Sequence, residues 1–173
     1  MTKKGSFLER CFEVIKTPLI LVAVLSSIFH LLDLLVVLIL PQNSTTMLYV
    51  SLLVMVFRYL SIIAVLFYVG WTYAKNGGKN LLESTLFGAV AGFLAGVLEM
   101  LVGTVKSAIV MVLVTSKTSG LNLSNPSQIF FFLIGFFIGI LIVGVIISLL
   151  GLVAGAVASL LGALAGGVRK VDG

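Results

Sequence analysis

The stretch "FGAVAGFLAGVLEMLVGTVKSAIV", residues 87–110, is apolar and studded with glycine, yet it carries Glu99 and Lys106 in its middle. Its length suits a helix crossing a bilayer, which takes about 20 apolar residues. The rest of the chain agrees. Of 173 residues, 60% are hydrophobic and 10% charged, and the mean hydropathy is +1.27. Soluble domains are roughly a quarter charged, and a fold of this size could not hide so much apolar surface from water. The predicted fold class is an all-α integral membrane protein.

Working outward from residues 87–110, the apolar runs predict four spans, at about 18–40, 47–73, 81–114 and 129–168. Connections rich in turn formers separate them: "PQNSTT" (41–46), "AKNGGKN" (74–80) and "TSKTSGLNLSNPSQ" (115–128). The last run would reach about 60 Å as one helix, twice the hydrocarbon thickness. No proline interrupts it, so one long helix, straight or kinked, is expected. The alternative is a break between Ser148 and Gly151, giving five spans.

Ahead of the first span, "GSFLERCFEVIK" has capping-box spacing at Ser6 and Glu9. Phe7, Leu8, Cys11, Phe12 and Ile15 recur on one helical face, with Glu9, Arg10, Glu13 and Lys16 on the other. This predicts a short amphipathic helix over residues 1–17, lying on the membrane surface. A plain extension of the first span is the alternative. Residues 18–173 form the polytopic domain.

With four spans, Lys3, Lys4, Arg10, Lys16, Lys75, Lys79, Arg169 and Lys170 fall on one side and only Lys117 on the other. The positive-inside rule then places both termini in the cytoplasm of a protein of the cell membrane. Asn43-Ser44-Thr45 and Asn122-Leu123-Ser124 match the glycosylation pattern, which makes Asn43 and Asn122 candidate acceptors in the two outer connections. The formal net charge of +5 comes from residues flanking apolar runs. It points to anionic lipid as the partner and not to nucleic acid.

Four ions lie within the spans: Asp33, Arg58, Glu99 and Lys106. His30 precedes Asp33 by three residues, on the same helix face. A lone ion at the bilayer centre costs at least about 2.5 kcal/mol, so these groups should face inward and pair. Counted from the outer helix ends at about 1.5 Å per residue, Asp33 lies roughly 10 Å deep, Lys106 roughly 12 Å, Arg58 roughly 16 Å and Glu99 roughly 22 Å. Depth therefore pairs Asp33 with Lys106 and Arg58 with Glu99. Such a network either fixes helix register or lines an ion path.

Gly88, Gly92 and Gly96 form two G-x-x-x-G steps, and Glu99, Gly103 and Lys106 continue the stripe. The last span repeats the pattern at Gly135 and Gly139, at Gly151 and Gly155, and at Gly162 and Gly166. Missing side chains let helices approach closely in lipid, so the third and fourth helices are expected to pack tightly on each other or on a partner. Walker, zinc and nucleophile-elbow motifs do not occur, and one cysteine, Cys11, cannot form an internal disulfide. No catalytic, cofactor or metal site is expected. The leading expectation is a non-catalytic membrane subunit or scaffold, joining other transmembrane subunits or copies of itself through glycine faces. The alternative is a small transporter or channel for ions or protons, using the intramembrane charges.

Overall fold

A computed structural model of the protein describes residues 6–41, 44–111, 113 and 126–168. Four helices run in order: α1, Phe7–Ile39; α2, Thr45–Lys75; α3, Leu81–Val110; and α4, Pro126–Ala165. Each is long and apolar enough to cross a membrane, and no strand occurs among the described residues. α4 is one uninterrupted helix of 40 residues. The candidate acceptors Asn43 and Asn122 lie outside the described residues, as do Lys3, Lys4, Lys117, Arg169 and Lys170.

The helix ends follow from local chemistry. Ser6 and Glu9 make a complete capping box: the Ser6 amide donates to Glu9 Oε2 (2.8 Å) and the Glu9 amide to Ser6 Oγ (3.3 Å). Ser44 caps α2 by accepting from the Met47 amide, and Asn80 caps α3 by accepting from Leu82 and Glu83. α2 and α4 stop the same way. Gly77 (φ 83°) and Gly167 (φ 97°) take the left-handed conformation that ordinary residues avoid. Beyond them, the Gly78 amide donates to Tyr73 and the Val168 amide to Ala163, the 6→1 bond of a Schellman motif.

The amphipathic surface helix expected over residues 1–17 is not formed as a separate element. α1 is a single, predominantly apolar helix running from Phe7 through Pro18 to Ile39. The reason is the phase of its buried face. Cys11, Ile15, Pro18, Val22, Ser26 and His30 recur every three or four residues without a break, so the first turns pack on the same neighbours as the rest. The Phe7 ring lies 5.2 Å from that of Phe87, and Arg10 Nη1 lies 2.7 Å from Glu83 Oε1. These contacts hold the start of α1 on the bundle.

The helices alternate in direction. We call the end where α1 and α3 begin basal, and the other distal. In the basal half, glycine lets backbones meet. A Cβ built on Gly88, Gly92 or Gly96 of α3 would collide with Gly155, Gly151 or Ser148 of α4. The reverse also holds: Cβ atoms on Gly151 and Gly155 would strike the carbonyls of Gly92 and Gly88. α4 meets α2 in the same manner, Gly70 against Ser159 and Ala163, Gly162 against Phe67 and Trp71, and Gly166 against Ala74. Ser84 and Ser159, both fully buried, face each other across α3 and α4 with their hydroxyls 3.1 Å apart, and Ser159 Oγ donates to the Ser84 carbonyl. In lipid such contacts replace the absent hydrophobic drive, because dispersion grows with every atom brought close.

The distal half is looser. The Met100 side chain sits where a Cβ on Gly144 would be, and beyond that point a Cβ on Gly139 or Gly135 would meet nothing within 4 Å among the described residues. The Gly135–Gly139 step, read from sequence as part of a packing face, thus borders open space in this chain.

Candidate functional site

The intramembrane ions gather where the tight basal half gives way to the open distal half. α1 contributes His30 and Asp33, α2 contributes Arg58, and α3 contributes Glu99 and Lys106. Lys106 Nζ donates to Asp33 Oδ2. Arg58 Nε lies 3.4 Å from Glu99 Oε2, and His30 stands between these two. Its Nε2 is 3.3 Å from Glu99 Oε2, and its Nδ1 is 3.2 Å from Arg58 Nη1. Nη1 also lies 3.1 Å from Nε2. Nη1 is thus nearly equidistant from both ring nitrogens, while Nε2 also faces the carboxylate. The four formally charged groups balance, two cations against two anions.

The glycine stripe of α3 explains the room they occupy. Below Glu99 the stripe faces α4. Gly103, one turn above Glu99, faces α1, where a Cβ would come 3.4 Å from His30 Cε1. A larger side chain at 103 would press on the imidazole. Tyr59 places its ring 4.9 Å beneath the Arg58 guanidinium, a cation–π contact.

Burial divides the cluster. The side chains of Arg58, His30 and Glu99 are 10%, 9% and 5% exposed, whereas Lys106 and Asp33 are 22% and 16% exposed. The exposure opens into a cavity of about 690 Å³ between α2, α3 and the distal half of α4. Roughly 300–1,000 Å³ is usual for small-molecule sites. Its floor is the charged cluster. Its walls are mostly apolar, with Leu52 and Met55 from α2 and Phe136, Ile140 and Val143 from α4, and Ser51, Thr104 and Ser107 add hydroxyls. Among the described residues, Asp33 Oδ1 and Glu99 Oε1 have no hydrogen-bond partner.

Several participants carry no strong sequence signal. Gly70 is the one glycine of its span and belongs to no repeat, yet it makes the α2–α4 contact. Ser26, Ser84 and Ser148 belong to no motif, yet all three are buried. The basal junction of Arg10, Glu83 and Tyr73, in which the Tyr73 hydroxyl donates to Glu83 Oε2 (2.8 Å), joins residues from three helices. Among the described residues, no three His, Cys, Asp or Glu side chains are placed to hold a metal ion. Comparison with known proteins gives no relative to argue from: no family model, no curated protein and no solved structure matches this chain.

Proposed function

We propose that this chain is a small multi-pass carrier of the cell membrane, with both termini cytoplasmic, that moves a small ion or solute by way of the charged cluster. One observation carries the reading: five ionisable side chains from three helices converge on the floor of a cavity large enough for a ligand. Burying such groups is expensive, and a register-fixing network has no need of adjoining space. The basal glycine faces, which would otherwise favour a scaffold, are spent on α2–α4 and α3–α4 contacts within the chain.

A second reading keeps a foothold on α4. Its distal half is apolar and largely exposed, and holds Gly135 and Gly139 with open space before them. A helix of another subunit, or of a second copy, could seat there, as a non-catalytic subunit would require. Purification in mild detergent followed by reconstitution separates the two. Flux of protons, alkali ions or small zwitterions above that of empty vesicles, reduced in a Glu99→Gln variant, supports the carrier. Silent vesicles together with stoichiometric co-purifying membrane subunits would replace it with the subunit reading.

A further inference from the structure

The balance and accessibility of the charges narrow what the cavity can hold. We propose that it binds a net-neutral zwitterion with an apolar body, its ammonium on Asp33 and its anionic group on Lys106. This rests on the carrier reading for its purpose but not for its geometry.

The argument begins with charge. Lys106 and Asp33 neutralise each other, as do Arg58 and Glu99. A ligand of net charge would leave that charge uncompensated at low dielectric, where the desolvation penalty is several kcal/mol per ion. A zwitterion adds none. It can insert into an existing pair, giving each member a new partner of the sign it already had.

Accessibility then selects the pair. Lys106 and Asp33 are the least buried ions of the cluster. Lys106 donates one of three N–H bonds to Asp33, leaving two for an anionic group. Among the described residues, Asp33 Oδ1 is buried and has no hydrogen-bond partner, so the carboxylate must turn toward the cavity for this oxygen to accept from an ammonium. The Arg58–His30–Glu99 group behind is more buried and interlinked, and it supports the floor without needing to move.

Volume and wall chemistry set the remainder of the ligand. The cavity is many times the roughly 30 Å³ that one water occupies in the liquid, so a bare ion would leave most of it to be filled by something else. Leu52, Met55, Phe136 and Ile140 offer an apolar body its surface, and the distal half of α4 stands away from α2 and α3 toward lipid. Two sources supply such a molecule: a zwitterionic lipid carrying a primary ammonium and a phosphate, or a free amino acid with an apolar side chain.

Native mass spectrometry of the detergent-solubilised protein tests this, using dihexanoyl-phosphatidylethanolamine against dihexanoyl-phosphatidylglycerol, which has the same tails and phosphate but no ammonium. A preference of about tenfold or more for the ethanolamine lipid is expected, equivalent to about 1.4 kcal/mol. Two variants locate the site. Gly139→Phe places a ring in open space, so it should abolish binding with an unchanged melting temperature. The double variant Asp33→Asn, Lys106→Met should lose the preference while keeping weak binding of both lipids. Displacement of the lipid by free leucine would identify the amino acid as the source; lipid binding resistant to leucine would identify the headgroup. Equal affinity for the two lipids with no binding of leucine, or binding unaffected by Gly139→Phe, would overturn the proposal. Zwitterion binding without flux would retain the site and remove the carrier reading, whereas proton or alkali-ion flux without zwitterion binding would do the opposite.

Discussion

Lys106 and Asp33 illustrate how an ion pair in a membrane protein differs from one on a soluble surface. A surface pair contributes about 0–1 kcal/mol, because water competes for both partners. Here helices surround the pair on most sides, and removing one partner strands the other. A sealed buried pair loses about 3–5 kcal/mol on such a change. Because Lys106 and Asp33 open on the cavity, Lys106→Met should cost less, about 1–3 kcal/mol, and adding Asp33→Asn should restore part of the loss. Thermal melts of the two single variants and the double variant check this, and simple addition of the single losses would show that the pair is not coupled. His30 makes a sharper case. Replacing it with Phe keeps the bulk but removes both ring nitrogens that meet Arg58 and Glu99, and a buried group left unsatisfied costs about 1–3 kcal/mol. His30→Gln retains one donor and one acceptor, so it should melt measurably higher than His30→Phe.

At the scale of the element, the same residue type has opposite consequences along one helix pair. Gly92 faces the Gly151 carbonyl, and backbone cannot swing aside as a side chain can. Overpacking a tight core costs about 1–3 kcal/mol and sometimes more, so Gly92→Leu should sit at or beyond that limit. Val90, 39% exposed and off the stripe, should accept leucine with little change, as should Gly139, where space is open. Melting of the three variants in detergent orders them, and equal stability of Gly92→Leu and Val90→Leu would mean that the α3–α4 contact is not close. Much of this was legible beforehand. Uninterrupted apolar runs mark the helices, and a four-residue glycine period marks the backbone contact. Equal depth from the helix ends brings Asp33 to Lys106. What stayed hidden depends on the third dimension: whether a glycine step meets another helix or a cavity depends on how neighbouring helices diverge, as Gly155 and Gly135 demonstrate. Residues 7–17 misled for a related reason. Their charged face looks solvated in isolation, but Arg10 reaches Glu83 on α3, a residue 73 positions away.

For the whole molecule, the division into a closed basal half and an open distal half makes orientation consequential. Among the described residues, Arg10, Lys16, Lys75 and Lys79 all cluster at the basal end; Lys117, in the distal connection before α4, lies outside them. Short basic segments are retained in the cytoplasm during insertion, so the basal end should face inward. The cavity would then open in the outer half of the bilayer, with its floor reachable from outside or from the outer leaflet. Single cysteines in a Cys11→Ala background test this on intact cells with a membrane-impermeant maleimide. Thr46→Cys, exposed at the distal start of α2, should label directly. Lys79→Cys, exposed at the basal turn before α3, should label only after permeabilisation. Cys11 is buried in the core, so alanine there costs some packing, and the background must first be shown to melt cooperatively. The reverse labelling pattern would turn the molecule over, so that the charged floor served the cytoplasmic leaflet and the basic residues no longer set the topology.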